Sequence, residues 1–229
     1  MKVICLAALF LSMLLTTSCL TSLHPLVAFR TNTEANSLVG TWQQGEDIYK
    51  VEKLMESEMF NEIENSIENK GKENEKKKPL TGKEKEDSIF HSHAYSVSFS
   101  KDGIDYYMAG SLTRIDGQLY IELFPIVIDD KEQSDGSGLD YSFDYLPGIT
   151  VAKVDLQNKN ILQLHFPDGD YIKKQINSGN IRIRHEKDNW FDTFLVTAPT
   201  RDLRSFFQKY GHDERLFSKE NSVTLTRKG

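Results

Sequence analysis

From residue 93 onward the chain alternates. Tyr95, Val97 and Phe99 are separated by Ser96, Ser98 and Ser100, the period of two that lays one apolar face along a strand. Lys101-Asp102-Gly103 is a turn signal, Ile104 to Leu112 continues as a second strand, and Ile115-Asp116-Gly117 turns the chain again. Leu119, Ile121 and Leu123 mark a third strand, with Tyr120, Glu122 and Phe124 on its other face, where Glu122 is expected to meet solvent. Strands joined by Asp-Gly turns in this way form an antiparallel meander. A Gly/Asp/Ser-rich loop fills about 129–139, and two further strands are expected near 149–156 and 160–166.

The C-terminal third mixes elements. Residues 169–178 have helical spacing, with Tyr171, Ile172 and Ile176 on one side and Gly179 as the C-cap. Strand signals return at 180–185 and 192–197. Thr200 is expected to cap a helix through Tyr210, with Leu203, Phe206, Phe207 and Tyr210 facing inward and Gly211 closing it. The alternating run Val223 to Arg227 ends the chain. Upstream, Leu38-Val39-Gly40-Thr41-Trp42 reads as the first strand. Between 48 and 69, Met55, Met59, Ile63 and Ile67 recur at every fourth position, which predicts a helix with one narrow apolar stripe. Residues 70–87 are almost wholly charged and have too little apolar surface to offset chain entropy, so a mobile loop is expected there.

The N-terminus carries different information. Lys2 is followed by an apolar run from Val3 to Leu15, then by Thr16-Thr17-Ser18 and Cys19. A basic start, a short apolar core and small residues at its end are the parts of a secretory signal. The run is too short to span a bilayer, which takes roughly 20 apolar residues. A cysteine at this boundary looks like a lipobox. Residues 1–18 are therefore read as a cleaved signal peptide, Cys19 as the site of a diacylglycerol and palmitate anchor, and 19–37 as a tether with a short ordered piece near His24-Pro25-Leu26. Leu20 stands where an inner-membrane lipoprotein would have Asp, and Thr21-Ser22-Leu23 contains no acidic run. Both point to the outer membrane, with the domain facing the periplasm.

Cleavage changes the composition argument. It removes Cys5, so the mature 211 of 229 residues contain a single cysteine, whose sulfur the lipid would occupy, and no disulfide or thiolate metal site is possible. It also removes Lys2, taking the formal charge from −6 to −7. A mildly acidic chain argues against nucleic acid or an anionic lipid surface as its main partner. Nothing after residue 19 approaches a membrane-spanning helix.

Two stretches resemble an uncharacterised lipoprotein family of the Bacteroidetes type. One runs from Cys19 through Ser22-Leu23-His24-Pro25-Leu26 to the LVGTW of residues 38–42. The other runs from Asp144 to Arg227 through Leu146-Pro147, Lys153-Val154 and the VTAPTRDLRSFFQKY of residues 196–210. Together they cover about half the chain. Val27 and Ile149 replace the Tyr and His usual in that family, so no role of that His carries over. The resemblance implies an envelope location and a gross fold, and no established activity. Gly40-Thr41-Trp42 also resembles the G-x-W that opens the first strand of lipocalins. There the Trp packs under the barrel floor and an Arg from a late strand stacks across it, a role that Arg227 would fill. The fold expected is thus β-rich (α+β). It is a single domain over 38–229, interrupted by a helical and charged insertion at about 48–87. Its antiparallel meander forms a lipocalin-like barrel or a strongly curved sheet, with two to four peripheral helices.

Candidate chemistry is sparse. His91-Ser92-His93 has a chelating spacing but no evident third ligand. Asp168-Gly169-Asp170 lacks the ligand series of a calcium loop and suits helix capping better. There is no G-x-S-x-G elbow and no free cysteine nucleophile. No cofactor, metal site or enzyme activity is expected. Tyr106, Tyr107, Tyr120, Phe124, Tyr141, Phe143 and Tyr145 could line a ligand cavity or a carbohydrate-facing surface, or simply fill a core and pack edges. The function expected is a binding module of unknown ligand, anchored to the membrane through Cys19, with a hydrophobic small molecule or an envelope protein as the candidate partner. The alternative is an accessory subunit that docks on an envelope protein through the 48–69 helix. An open apolar cavity favours the first reading; a filled barrel with an exposed Met55/Met59/Ile63/Ile67 stripe favours the second.

Overall fold

The computed structural model describes residues 20–26, 35–58, 60, 93–101, 104–130, 148–188 and 193–229. Its strands are β1 (Thr21–Ser22), β2 (Gly40–Gln44), β3 (Asp47–Lys53), β4 (Tyr95–Lys101), β5 (Ile104–Ile115), β6 (Gln118–Asp130), β7 (Ile149–Asn158), β8 (Ile161–His165), β9 (His185–Asp188), β10 (Thr193–Val196) and β11 (Ser222–Arg227). The helices are α1 (Gly169–Asn177) and α2 (Thr200–Tyr210). Strands β2 to β8 pair antiparallel in chain order, β11 joins β8, and β11 returns to β2 through Thr226–Gln43 and Arg227–Trp42. The result is a closed antiparallel barrel of eight strands with the lipocalin-like form expected.

The turn chemistry is local. Asp116 (φ 47°) and Gly117 (φ 77°) both lie in the left-handed region, as a two-residue hairpin between right-twisted strands requires. Farther along the same pair, the register shifts between Tyr107 and Met108: Met108 opposes Pro125 while Tyr107 opposes Val127. Proline has no N–H for a ladder, and a bulge is one of the few places a strand accepts it.

Burial on both faces explains why β6 is apolar with little interruption. Leu112, Ile121, Ala152, Val154, Leu162 and Leu225 point inward and form the barrel core with Trp42. Tyr120 and Val151 point outward into a second core against Ile172 of α1, Phe206 and Phe207 of α2, Phe217 and Leu20. A small sheet completes this outer layer. β8 leaves the edge of β7 after His165–Lys153, and β1 takes its place at Thr150 and Ile149. β10 then lies parallel to β1, and β9 antiparallel to β10.

Several expectations are corrected. Residues 48–53 are not the start of a helix: they belong to β3, and Leu54–Glu56 form a single 3-10 turn. Tyr49 and Val51 alternate with Lys50 and Glu52, so a period of two was present beneath the four-residue methionine and isoleucine spacing. Met55 is exposed, while Met59, Ile63, Ile67 and the charged run 70–87 lie outside the described residues. Residues 180–184 are irregular, and the strand begins at His185. Thr200 is the first residue of α2 and Pro199 precedes it without a side-chain cap. Glu122 is fully buried rather than solvent-facing, because α2 and the 20–26 segment cover the outer face of β6.

Candidate functional site

One end of the barrel is closed by Arg227. Its guanidinium lies 4.3 Å from the centre of the Trp42 ring. Its Nη1 donates to the Val39 carbonyl at 2.9 Å, Nη2 to Ser37 at 2.6 Å and Nε to Lys159 at 2.7 Å. Trp42 is fully buried and its Nε1–H donates to the Leu38 carbonyl at 2.8 Å. Of the three carbonyls held by Arg227, that of Ser37 lies within the 3-10 turn Asn36–Leu38 and that of Val39 caps its end, where carbonyls have no helical partner. Gly40 sits against this cation at φ 142°, and a Cβ there would stand 2.1 Å from Nη1. The three residues read from the G-x-W pattern, Gly40, Trp42 and Arg227, are thus in mutual contact.

Above this floor lies an apolar cavity of about 210 Å³. Val51, Val97, Phe99, Met108, Leu162 and Phe166 are among the residues that line it. Tyr49 and Phe99 have ring centres 5.2 Å apart, and Phe99 stacks on Tyr106 at 4.8 Å. This gives three adjacent strands one continuous aromatic ridge. The Tyr49 phenol is pushed above its ordinary pKa by burial and by the nearby charge of Asp47, so it stays neutral at physiological pH. No charged side chain is among the described residues lining the cavity. The arrangement can desolvate an apolar molecule. Its size is close to that of a dry cavity of ~150 Å³ lined by Leu, Ile and Phe, which takes up benzene.

A larger depression of about 990 Å³ lies outside the barrel, between the end of α1, the 179–185 segment and α2, with Arg182, Arg184 and Lys209 on its walls. It is open to solvent and would leave a bound apolar molecule wet.

The remaining sequence candidates are scattered. Cys19 lies outside the described residues, as do His91, Ser92, Tyr141, Phe143 and Tyr145. Among the described residues no cluster of His, Cys, Asp or Glu could hold a metal ion. Asp168 caps α1 by accepting the Tyr171 N–H at 2.8 Å, and Asp170 faces Lys173 at 3.7 Å. Tyr120 is on the outer face, with its ring centre 5.2 Å from Phe207.

Sequence reasoning missed a buried polar lock on the outer wall. The Glu122 carboxylate accepts the Leu26 N–H, and Arg204 of α2 donates from Nη1 to the Leu26 carbonyl and to Thr113 Oγ1, each at 3.2 Å. Ser111, also fully buried, is the cross-strand neighbour of Glu122. The available signal was a lone carboxylate in the apolar run Leu119 to Phe124. No protein family model, curated protein or solved structure matches this chain.

Proposed function

We propose that this chain is a non-enzymatic binding protein of the cell envelope, lipid-anchored through Cys19, that carries a compact apolar ligand inside its barrel. The observation that carries the reading is the cavity above Trp42, closed at one end by Arg227 and lined by apolar and aromatic side chains. An apolar guest in such a cavity gives its lining side chains dispersion partners. The signal-like run before Cys19 supports the envelope location and the anchor, and the acidic balance of the chain supports a small molecule over nucleic acid.

Native mass spectrometry of the protein purified from its own envelope tests this. The expected result is a co-purifying small molecule that is lost from a folded Val97→Phe variant, whose added ring occupies the cavity. Absence of any bound molecule from the wild type, or its retention in Val97→Phe, would overturn the reading.

A further inference from the structure

Leu20 is the residue after Cys19, and it is only 2% exposed. Thr21 pairs with Thr150 of β7 on one side and Leu195 of β10 on the other. The Leu23 N–H donates to the Val196 carbonyl at 2.8 Å, and the Ser22 hydroxyl, itself buried, donates to His24 O at 2.8 Å. Leu26 is fully buried, with its N–H on Glu122 and its carbonyl on Arg204. Residues 20–26, which the sequence reading places in a tether, are thus fixed to the barrel wall at both ends. Flexible tethers are built from small polar residues with no partners; this segment has buried leucines and a strand between two other strands.

We infer that the lipid holds the β1–β10–β9 side of the barrel directly against the bilayer surface, with no intervening tether. This rests on the lipidation of Cys19 proposed above. One residue spans at most about 3.6 Å of chain, so the thioether and Cys19 alone separate the lipid glycerol from a buried position in the fold. Continuing the β1–β10 register places Leu20 beside Phe194, whose partner across the β9–β10 pair is the exposed Lys187. Lys187 therefore marks the face expected at the headgroups. Its neighbour Glu186 is equally exposed, so the lipid rather than surface charge supplies the attachment.

The test uses the full mature protein, lipidated in cells and reconstituted into vesicles of phosphatidylethanolamine and phosphatidylglycerol. The mature chain contains no cysteine besides Cys19, so Lys187→Cys can be labelled uniquely with a fluorophore. Headgroup-attached nitroxide should quench this label strongly. A flexible Gly-Ser insertion of about 12 residues between Cys19 and Leu20 adds roughly 20 Å of mean reach and should lower the quenching severalfold. Equal quenching with and without the insertion, in protein whose intact mass includes the lipid, would overturn the inference and leave the anchor standing. An intact mass without lipid would overturn both. Amide exchange on the unlabelled lipidated protein gives a second readout: Leu23 and Leu26 should exchange slowly, and fast exchange there refutes a fixed segment.

Discussion

Arg227 and Trp42 are cross-strand partners at the seam where the last strand meets the first, and the guanidinium covers the indole at 4.3 Å while its N–H groups hold Ser37, Val39 and Lys159. One side chain therefore joins the seam, the 3-10 turn before β2 and the β7–β8 turn. Trp42→Ala should cost about 3–5 kcal/mol as a truncation of a buried aromatic. Arg227→Lys keeps the charge but loses the planar fork, and should cost about 1–3 kcal/mol. Urea unfolding of the two variants checks both values, and a near-neutral Arg227→Lys would mean that charge alone suffices at the seam.

The cavity volume sets a size limit on ligands. At about 210 Å³ it sits below the roughly 300–1,000 Å³ typical of sites for drug-sized molecules. Monocyclic or bicyclic aromatics should bind, and a palmitate-length acyl chain should not. Calorimetric titration across a series of increasing length should show affinity rising and then falling sharply. Undiminished binding of the longest chain would place the ligand elsewhere.

Glu122 is predicted to matter through the N–H it accepts. Glu122→Ala leaves the Leu26 amide buried without its acceptor and should destabilise the protein by about 1–3 kcal/mol. Glu122→Gln retains an acceptor oxygen and should recover most of that loss. Thermal unfolding compares the pair, and identical losses would show that the carboxylate charge is what the wall requires.

His165 gives the fold a pH dependence. Its Nδ1 lies 2.7 Å from Ser222 Oγ, whose proton goes to the Ser218 carbonyl. Burial, then the charge of Lys153, pushes the imidazole below its ordinary value of 6.5, against a smaller opposing effect of Asp155. The unfolded chain therefore binds this proton more readily than the native one. Stability is intact above about 6.5 and falls as pH drops from there through the lower native value. A His165→Asn variant should lose that part of the slope in melting temperature between pH 7 and 5; an unchanged slope would assign it to other groups.

Cys19→Ala should accumulate uncleaved precursor, because no other residue at that boundary can accept a thioether-linked diacylglycerol. Metabolic labelling with a fatty acid decides it, and label retained on the alanine variant refutes the assignment.

Legibility in the sequence followed the range of the interaction. Alternation at Tyr95, Val97 and Phe99 and the Asp116-Gly117 turn are written in adjacent residues, and β4 to β6 follow from them. The Gly40, Trp42 and Arg227 contact was accessible because a barrel must close on its first strand. Glu122 was not. Its own strand gives it a solvent-facing parity, and the cover over that face includes Leu26 and Arg204, 96 residues before and 82 after it. The two-residue β1 is too short to show any period, and its partners lie at Thr150 and Leu195. The cavity draws Phe99, Met108 and Val223 from three strands and Phe166 from the end of β8, so no local run of sequence names it.

Among the described residues the outer layer covers only part of the wall, and this makes the barrel unequal around its circumference. Strands β5 to β7 are held between two cores, whereas the outward side chains of β3 and β4 include Lys50, Glu52, Ser98 and Ser100. Local opening of the covered arc must break both cores at once, while opening of the polar arc breaks one. Slow amide exchange is therefore expected at β6 and β7, and faster exchange at β3 and β4.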